Sequence, residues 1–126
     1  MKGVYPAVFT EVDGAILVEV PDLEILTEGK DFNNAIEMAR DAIEMWLCIA
    51  EDRKEEIPEP TKDLKTSKGF VSLIDVDTTA YRKANDNRAV KKTLSIPSWL
   101  NNEAEKQGIN FSQILQEALK VKLNIQ

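Results

Sequence analysis

One stretch constrains this chain more than any other: VKKTLSIPSWLNNEAEKQGINFSQILQEALKVKL, residues 90–123. Its first residues alternate like a strand, with Leu94 and Ile96 on one side and Lys91, Thr93 and Ser95 on the other. Pro97 is well placed to start a helix, where its missing N–H costs nothing. Trp99, Leu100 and Ala104 give that helix an apolar face, and Gly108 stops it. Asn110 can cap a second helix, with Gln113 as its capping-box partner, and Ile114, Leu115, Ala118, Leu119 and Leu123 form the second apolar face. One strand and two short helices cannot build a stable core alone, and a lone strand leaves both edges unpaired. The economical solution is a second copy. Two such strands then pair about a two-fold axis, with Leu94, Ile96, Trp99, Leu100, Ile114, Leu115 and Leu119 as the expected shared core. The far side of that ribbon carries Lys91, Thr93 and Ser95 twice over. A two-stranded ribbon fits the major groove of double-stranded DNA, and these are groove-reading side chains. Free N–H groups at the second helix start add Asn110 and Ser112 as candidate phosphate contacts. The plainer alternative is the solvated face of an ordinary edge strand.

The preceding residues read as a separate α+β domain. YPAVFTEV and AILVEVP are β-branched and aromatic, joined at Asp13-Gly14, a strong hairpin signal. Ile16, Val18 and Val20 share one face of the second run, and Ala15, Leu17 and Glu19 the other. Glu24–Gly29 is a candidate third strand. Asp31 can cap a helix predicted over residues 31–53, with apolar residues at 3–4 spacing from Phe32 to Ala50. A charged, proline-bearing loop follows, then a strand over Gly69–Asp77. The order β-β-β-α-β predicts one sheet with one helix on its face. Residues 78–89 lack an apolar period and read as a linker, so the expected division is 1–77, linker 78–89 and 90–126.

Charge divides the chain in the same place. Residues 1–76 hold 8 Lys/Arg against 17 Asp/Glu, a balance of −9, and residues 77–126 hold 8 against 5, a balance of +3. The larger part repels a phosphate backbone and the smaller attracts one, which suggests two different partners. With no histidine, the commonest general base and imidazole metal sites are missing. Cys48, the single cysteine, sits among apolar residues and reads as a buried structural thiol in a reducing cytoplasm. No run is long and apolar enough to span a membrane. Trp46 and Trp99 read as core anchors. The carboxylates Glu11, Asp13, Glu19, Asp22, Glu24 and Glu28 admit three readings: a solvated sheet edge, a protein-binding surface or a metal-dependent nuclease site.

The strand–proline helix–glycine turn–helix unit resembles a ribbon-helix-helix DNA-binding domain. Upstream, YPAVF, VPDLEILTEG, NAIEMARDAIEMWL, IPEPT and VSLIDVDTTAYR in that order resemble the HicB-like antitoxins of HicA–HicB toxin–antitoxin pairs. The chain departs from the family at Glu24-Ile25-Leu26, where Pro-Gly-Cys-like residues are common. The resemblance implies a reduced ribonuclease-H-like N-terminal domain that inhibits a small basic HicA-type toxin, an mRNA-cleaving ribonuclease. Asp22, Glu24 and Glu28 are the candidate toxin contacts. It also implies a C-terminal domain that represses the chain's own operon. The implied protein is a cytoplasmic homodimer without cofactor or enzymatic activity, and a further N-terminal interface would make it a tetramer. A plain DNA-binding regulator with an acidic ligand-sensing domain is the alternative. A small basic neighbouring gene would favour the antitoxin.

Overall fold

Asp13 and Gly14 both adopt positive φ, 50° and 81°, the geometry that turns a strand tightly back on itself. They join β1 (Lys2–Val12) to β2 (Ala15–Val20) in a computed structural model that describes residues 1–86 and 88–125. A 3₁₀ turn, Pro21–Leu23, leads to β3 (Ile25–Gly29). The helix α1 (Phe32–Arg53) then precedes β4 (Phe70–Asp77). The strands form one antiparallel sheet in the order β3-β2-β1-β4. Pro6 lies in β1 without disrupting it, because β1 pairs with β2 only from Val8 onward and has β4 alone beside Pro6.

The expected β-β-β-α-β order is therefore present. The Asp31 side chain accepts a hydrogen bond from the Asn34 N–H at 2.8 Å, which starts α1 one residue after the cap. Ala35, Ala39, Ile43 and Leu47, spaced four apart, form its buried stripe. They meet Tyr5, Ala7 and Phe9 of β1, Ile16, Val18 and Val20 of β2, and Ile74 and Val76 of β4. Trp46 packs against this core, as its spacing predicts. Cys48 is buried with its Sγ 3.8 Å from the Thr78 carbonyl oxygen; burial pushes its thiol up, as a structural cysteine requires.

Small residues set the distance between helix and sheet. A Cβ on Gly29 would lie 2.5 Å from Ala35 Cα, inside the backbone of the first helical turn. Gly29→Ala is therefore expected to destabilise the domain by about 1–3 kcal/mol through overpacking. At Gly14 a Cβ would meet nothing within 4 Å, so Gly14→Ala carries only the backbone cost of its positive φ. Thermal unfolding of the two variants separates the effects.

Residues 78–85 correct the linker expectation. Thr78–Asn85 form a helix, α2, and the first compact unit runs from Met1 to Arg88. The helix is held by polar bonds, which an apolar period cannot reveal. The Asp77 carboxylate caps it, accepting from Thr79 N at 3.0 Å and Ala80 N at 3.3 Å. Arg82 donates to the Cys48 carbonyl at 3.1 Å and pairs with Glu51 and Asp52. With this boundary, unit 1 holds 11 Lys/Arg against 19 Asp/Glu, a balance of −8, and residues 89–126 hold 5 against 3, a balance of +2. The opposite signs persist.

Side chains of α1 also close the outer edge of β4. Arg40 donates from Nε to the Asp75 carbonyl at 2.9 Å and from Nη2 to Asp75 Oδ1 at 2.8 Å, while Glu44 Oε2 accepts from the Asp77 N–H at 2.7 Å. Edge groups that would otherwise invite another strand are thereby satisfied. The Arg40 hydrogen bond holds the Asp75 carboxyl below its ordinary pKa. A depressed carboxylate pKa stabilises the fold above the unfolded value, and the gain is lost as pH falls through the folded value. Arg40→Ala should thus lower the thermal midpoint slightly at neutral pH, with the difference from wild type narrowing in acid to what the lost bond to the Asp75 carbonyl contributes.

Candidate functional site

The second unit, Ala89–Gln126, is described here through Ile125. It contains α3 (Ser98–Lys106) and α4 (Phe111–Leu123), preceded by a segment without regular secondary structure. Pro97 falls one position earlier than expected, as the residue flanking α3. Gly108, at φ 66°, ends that helix: Ile109 N donates to the Ala104 carbonyl and Gly108 N to the Glu105 carbonyl, the double closure of a Schellman turn. Asn110 caps α4, accepting from Gln113 N at 3.1 Å. The predicted return bond from Gln113 is replaced by one to Glu117 Oε1 at 3.2 Å. Asn110 is thus committed to the cap, and Ser112 sits exposed in the first turn.

Neither α3 nor α4 buries a residue in the single chain. Leu94, Ile96, Trp99, Leu100, Ile114, Leu115 and Leu119 are all exposed, Leu94 at 65% and Trp99 at 67%. These seven side chains are on average about half exposed, so covering them would contribute roughly 5–10 kcal/mol per chain at the usual value for burying a large apolar side chain. That is of the order of a small domain's entire net stability. Lys91, Thr93 and Ser95 alternate with Leu94 and Ile96 along the segment, all of them exposed. A strand is defined by its ladder, and one copy offers this segment no ladder partner.

In unit 1 the acidic residues do not converge. Asp13 lies in the β1–β2 turn, whereas Glu19 and Glu28 lie on the sheet face away from α1. Asp22 is occupied: its carboxylate accepts from Thr61 N at 2.9 Å and from the Thr61 hydroxyl, fastening the loop after α1. The Tyr5 hydroxyl secures the same loop by donating to the Pro58 carbonyl at 2.7 Å. Glu24 closes the 3₁₀ turn at φ 53°. Among the described residues no group of three or more carboxylate or thiol side chains could hold a metal ion. No described helix is long and apolar enough to cross a membrane. The three candidate contacts Asp22, Glu24 and Glu28 therefore occupy different settings: a loop tether, a turn and an open face. Leu26 and Leu73, neither of them an expected site residue, are 73% and 67% exposed. Strand alternation was the available signal for both.

These features define a class: an acidic α+β domain joined to a helical unit whose apolar side chains are exposed in the single chain. The sequence matches no protein-family profile and no curated protein. Solved structures do match. A chain from a toxin–antitoxin complex of Streptococcus pneumoniae is 26% identical, with a TM-score of 0.59 over 97% of this chain and 99% of that one. The antitoxin HicB of Burkholderia pseudomallei shares the fold at 19% identity, with a TM-score of 0.52 over 96% of both chains. At that identity the likeness to HicB is one of fold.

Proposed function

We propose that this chain is a HicB-like antitoxin with two binding parts and no catalytic residues of its own. Unit 1 binds and inhibits a small basic HicA-type toxin. Unit 2 dimerises through its strand and helices and binds operator DNA as a ribbon-helix-helix domain, repressing the operon that encodes both proteins. The observation that carries this reading is the likeness to the Streptococcus pneumoniae toxin–antitoxin chain across 97% of the sequence. Two further observations support it. The acidic unit 1 suits a protein whose own surface binds RNA. The uncovered side chains of unit 2 suit a second copy.

Leu94, Ile96, Trp99, Leu100, Ile114, Leu115 and Leu119 form the dimer core in this reading. Lys91, Thr93 and Ser95 face the major groove. Asn110 and Ser112 place the start of α4 near phosphate, chiefly through backbone N–H groups. The experiment is co-expression with a small basic protein of the HicA type, sought first in the gene beside this chain's own. Rescue of growth, together with specific binding to the shared promoter, is the expected result. A neighbour that is harmless alone and does not bind this chain would contradict the reading.

A further inference from the structure

The sheet of unit 1 has two faces, and α1 covers only one of them. On the other face the strand registers place Leu17 opposite Glu28 and Leu26 opposite Glu19. Directly opposed residues lie about 4.5–5.5 Å apart at Cβ, so these four side chains form one patch. The β1–β4 half of that face is different. There Pro6 is buried, and Val4, Val71 and Leu73 line a groove of about 430 Å³ with residues 59–64 of the loop after α1. The β2–β3 half has no such cover among the described residues, and Leu26 is 73% exposed.

Charge indicates what fits there. Asp75, on the same face, pairs with Arg40, whereas neither Glu19 nor Glu28 forms an ion pair among the described residues. A second copy laid on this patch would bring uncompensated carboxylates together, and a nucleic acid would meet the same repulsion. A cationic protein surface satisfies both components. The aliphatic stems of its lysines and arginines cover leucines while their heads reach carboxylates. A competing apolar stripe, Met38, Met45 and Ile49 on α1, is also exposed. The carboxylates at its C-terminal end, Glu51 and Asp52, are already paired with Arg82. Asp41, between Met38 and Met45, is the exposed carboxylate on that stripe without an ion pair among the described residues, one against two on the sheet patch, so the stripe offers a basic partner less.

We propose that the patch formed by Leu17, Glu19, Leu26 and Glu28 is the docking surface for the basic toxin. The inference rests on the antitoxin reading above; of the candidate contacts it keeps Glu28, sets aside Asp22 and Glu24, and adds Glu19 with two interleaved leucines. The test measures binding of the full chain to a small basic HicA-type toxin, at low and high salt. Leu26→Arg and Glu28→Lys should each weaken binding about tenfold or more. Glu28→Lys should also flatten the salt dependence, and Met45→Arg should bind as wild type. All three positions are exposed, and thermal midpoints with sedimentation verify that each variant keeps its fold and assembly. Should any variant unfold, Glu19→Lys provides the same test at a fourth exposed position. Wild-type affinity in the patch variants, or a loss confined to Met45→Arg, would overturn the docking site and leave the antitoxin reading standing. No binding by the wild-type chain would overturn both.

Discussion

Leu94→Ala is expected to leave the chain monomeric at concentrations where the wild type is a dimer. Leu94 is 65% exposed in the single chain, so its truncation removes little from one copy. In the proposed dimer it lies beneath the ribbon between two sets of helices, where Leu→Ala typically costs about 2–5 kcal/mol. Both copies carry the change, so dimerisation weakens by roughly 4–10 kcal/mol, at least a thousandfold in dissociation constant. Sedimentation across a concentration series measures this directly. Unit 1 should keep its fold, because its core draws on no residue after Val76. A chain ending at Arg88, after α2, provides the reference for assembly without unit 2. If that shortened chain and Leu94→Ala both assemble like wild type, the shared-core argument fails and another interface holds the copies together.

The second large effect concerns the opposite side of the ribbon. The triple variant Lys91→Ala, Thr93→Ala and Ser95→Ala should remain a dimer yet lose most sequence preference for its operator. The three residues contribute nothing to the apolar side, so assembly is preserved while groove contacts disappear. Each base-edge contact is typically worth about 1–3 kcal/mol of discrimination, and the ribbon presents every residue twice. Thr93→Ala alone should relax preference at one position in each half-site. Losing Lys91 should also reduce the salt dependence of binding, since fewer counterions are released. The operator should contain inverted repeats that mirror the protein's two-fold axis. Operator titrations at several salt concentrations, with sedimentation in parallel, check these outcomes. A triple variant with wild-type affinity and preference would remove the ribbon from the interface.

Much of unit 1 was legible because its signals are local. Asp13-Gly14 demands positive φ, Asp31 supplies a cap, and residues 35, 39, 43 and 47 mark one helical stripe. Each depends on neighbours within a turn or a hairpin, so a linear reading recovers it. The helix α2 was not legible in that way. Arg82 reaches residues more than 30 positions away, and no periodicity within residues 78–85 announces those partners. The candidate toxin contacts divide along the same line. Asp22, Glu24 and Glu28 look alike in sequence. Only the tertiary structure engages Asp22 with Thr61, turns the chain at Glu24 and leaves Glu28 beside Leu17 on an open face.

Residue order alone dictates one sheet with a hairpin and a long helix on its face, the two oppositely charged parts and the coreless nature of residues 90–123. Those properties follow from residue order and from apolar content that a short segment cannot bury alone. The tertiary structure decided where unit 1 ends, which sheet face is left uncovered and which carboxylates remain unpaired. The reason is physical: a carboxylate's availability depends on what folds against it. In the pairs that matter most here, Asp22 with Thr61 and Asp75 with Arg40, the partners lie 39 and 35 residues apart in the chain.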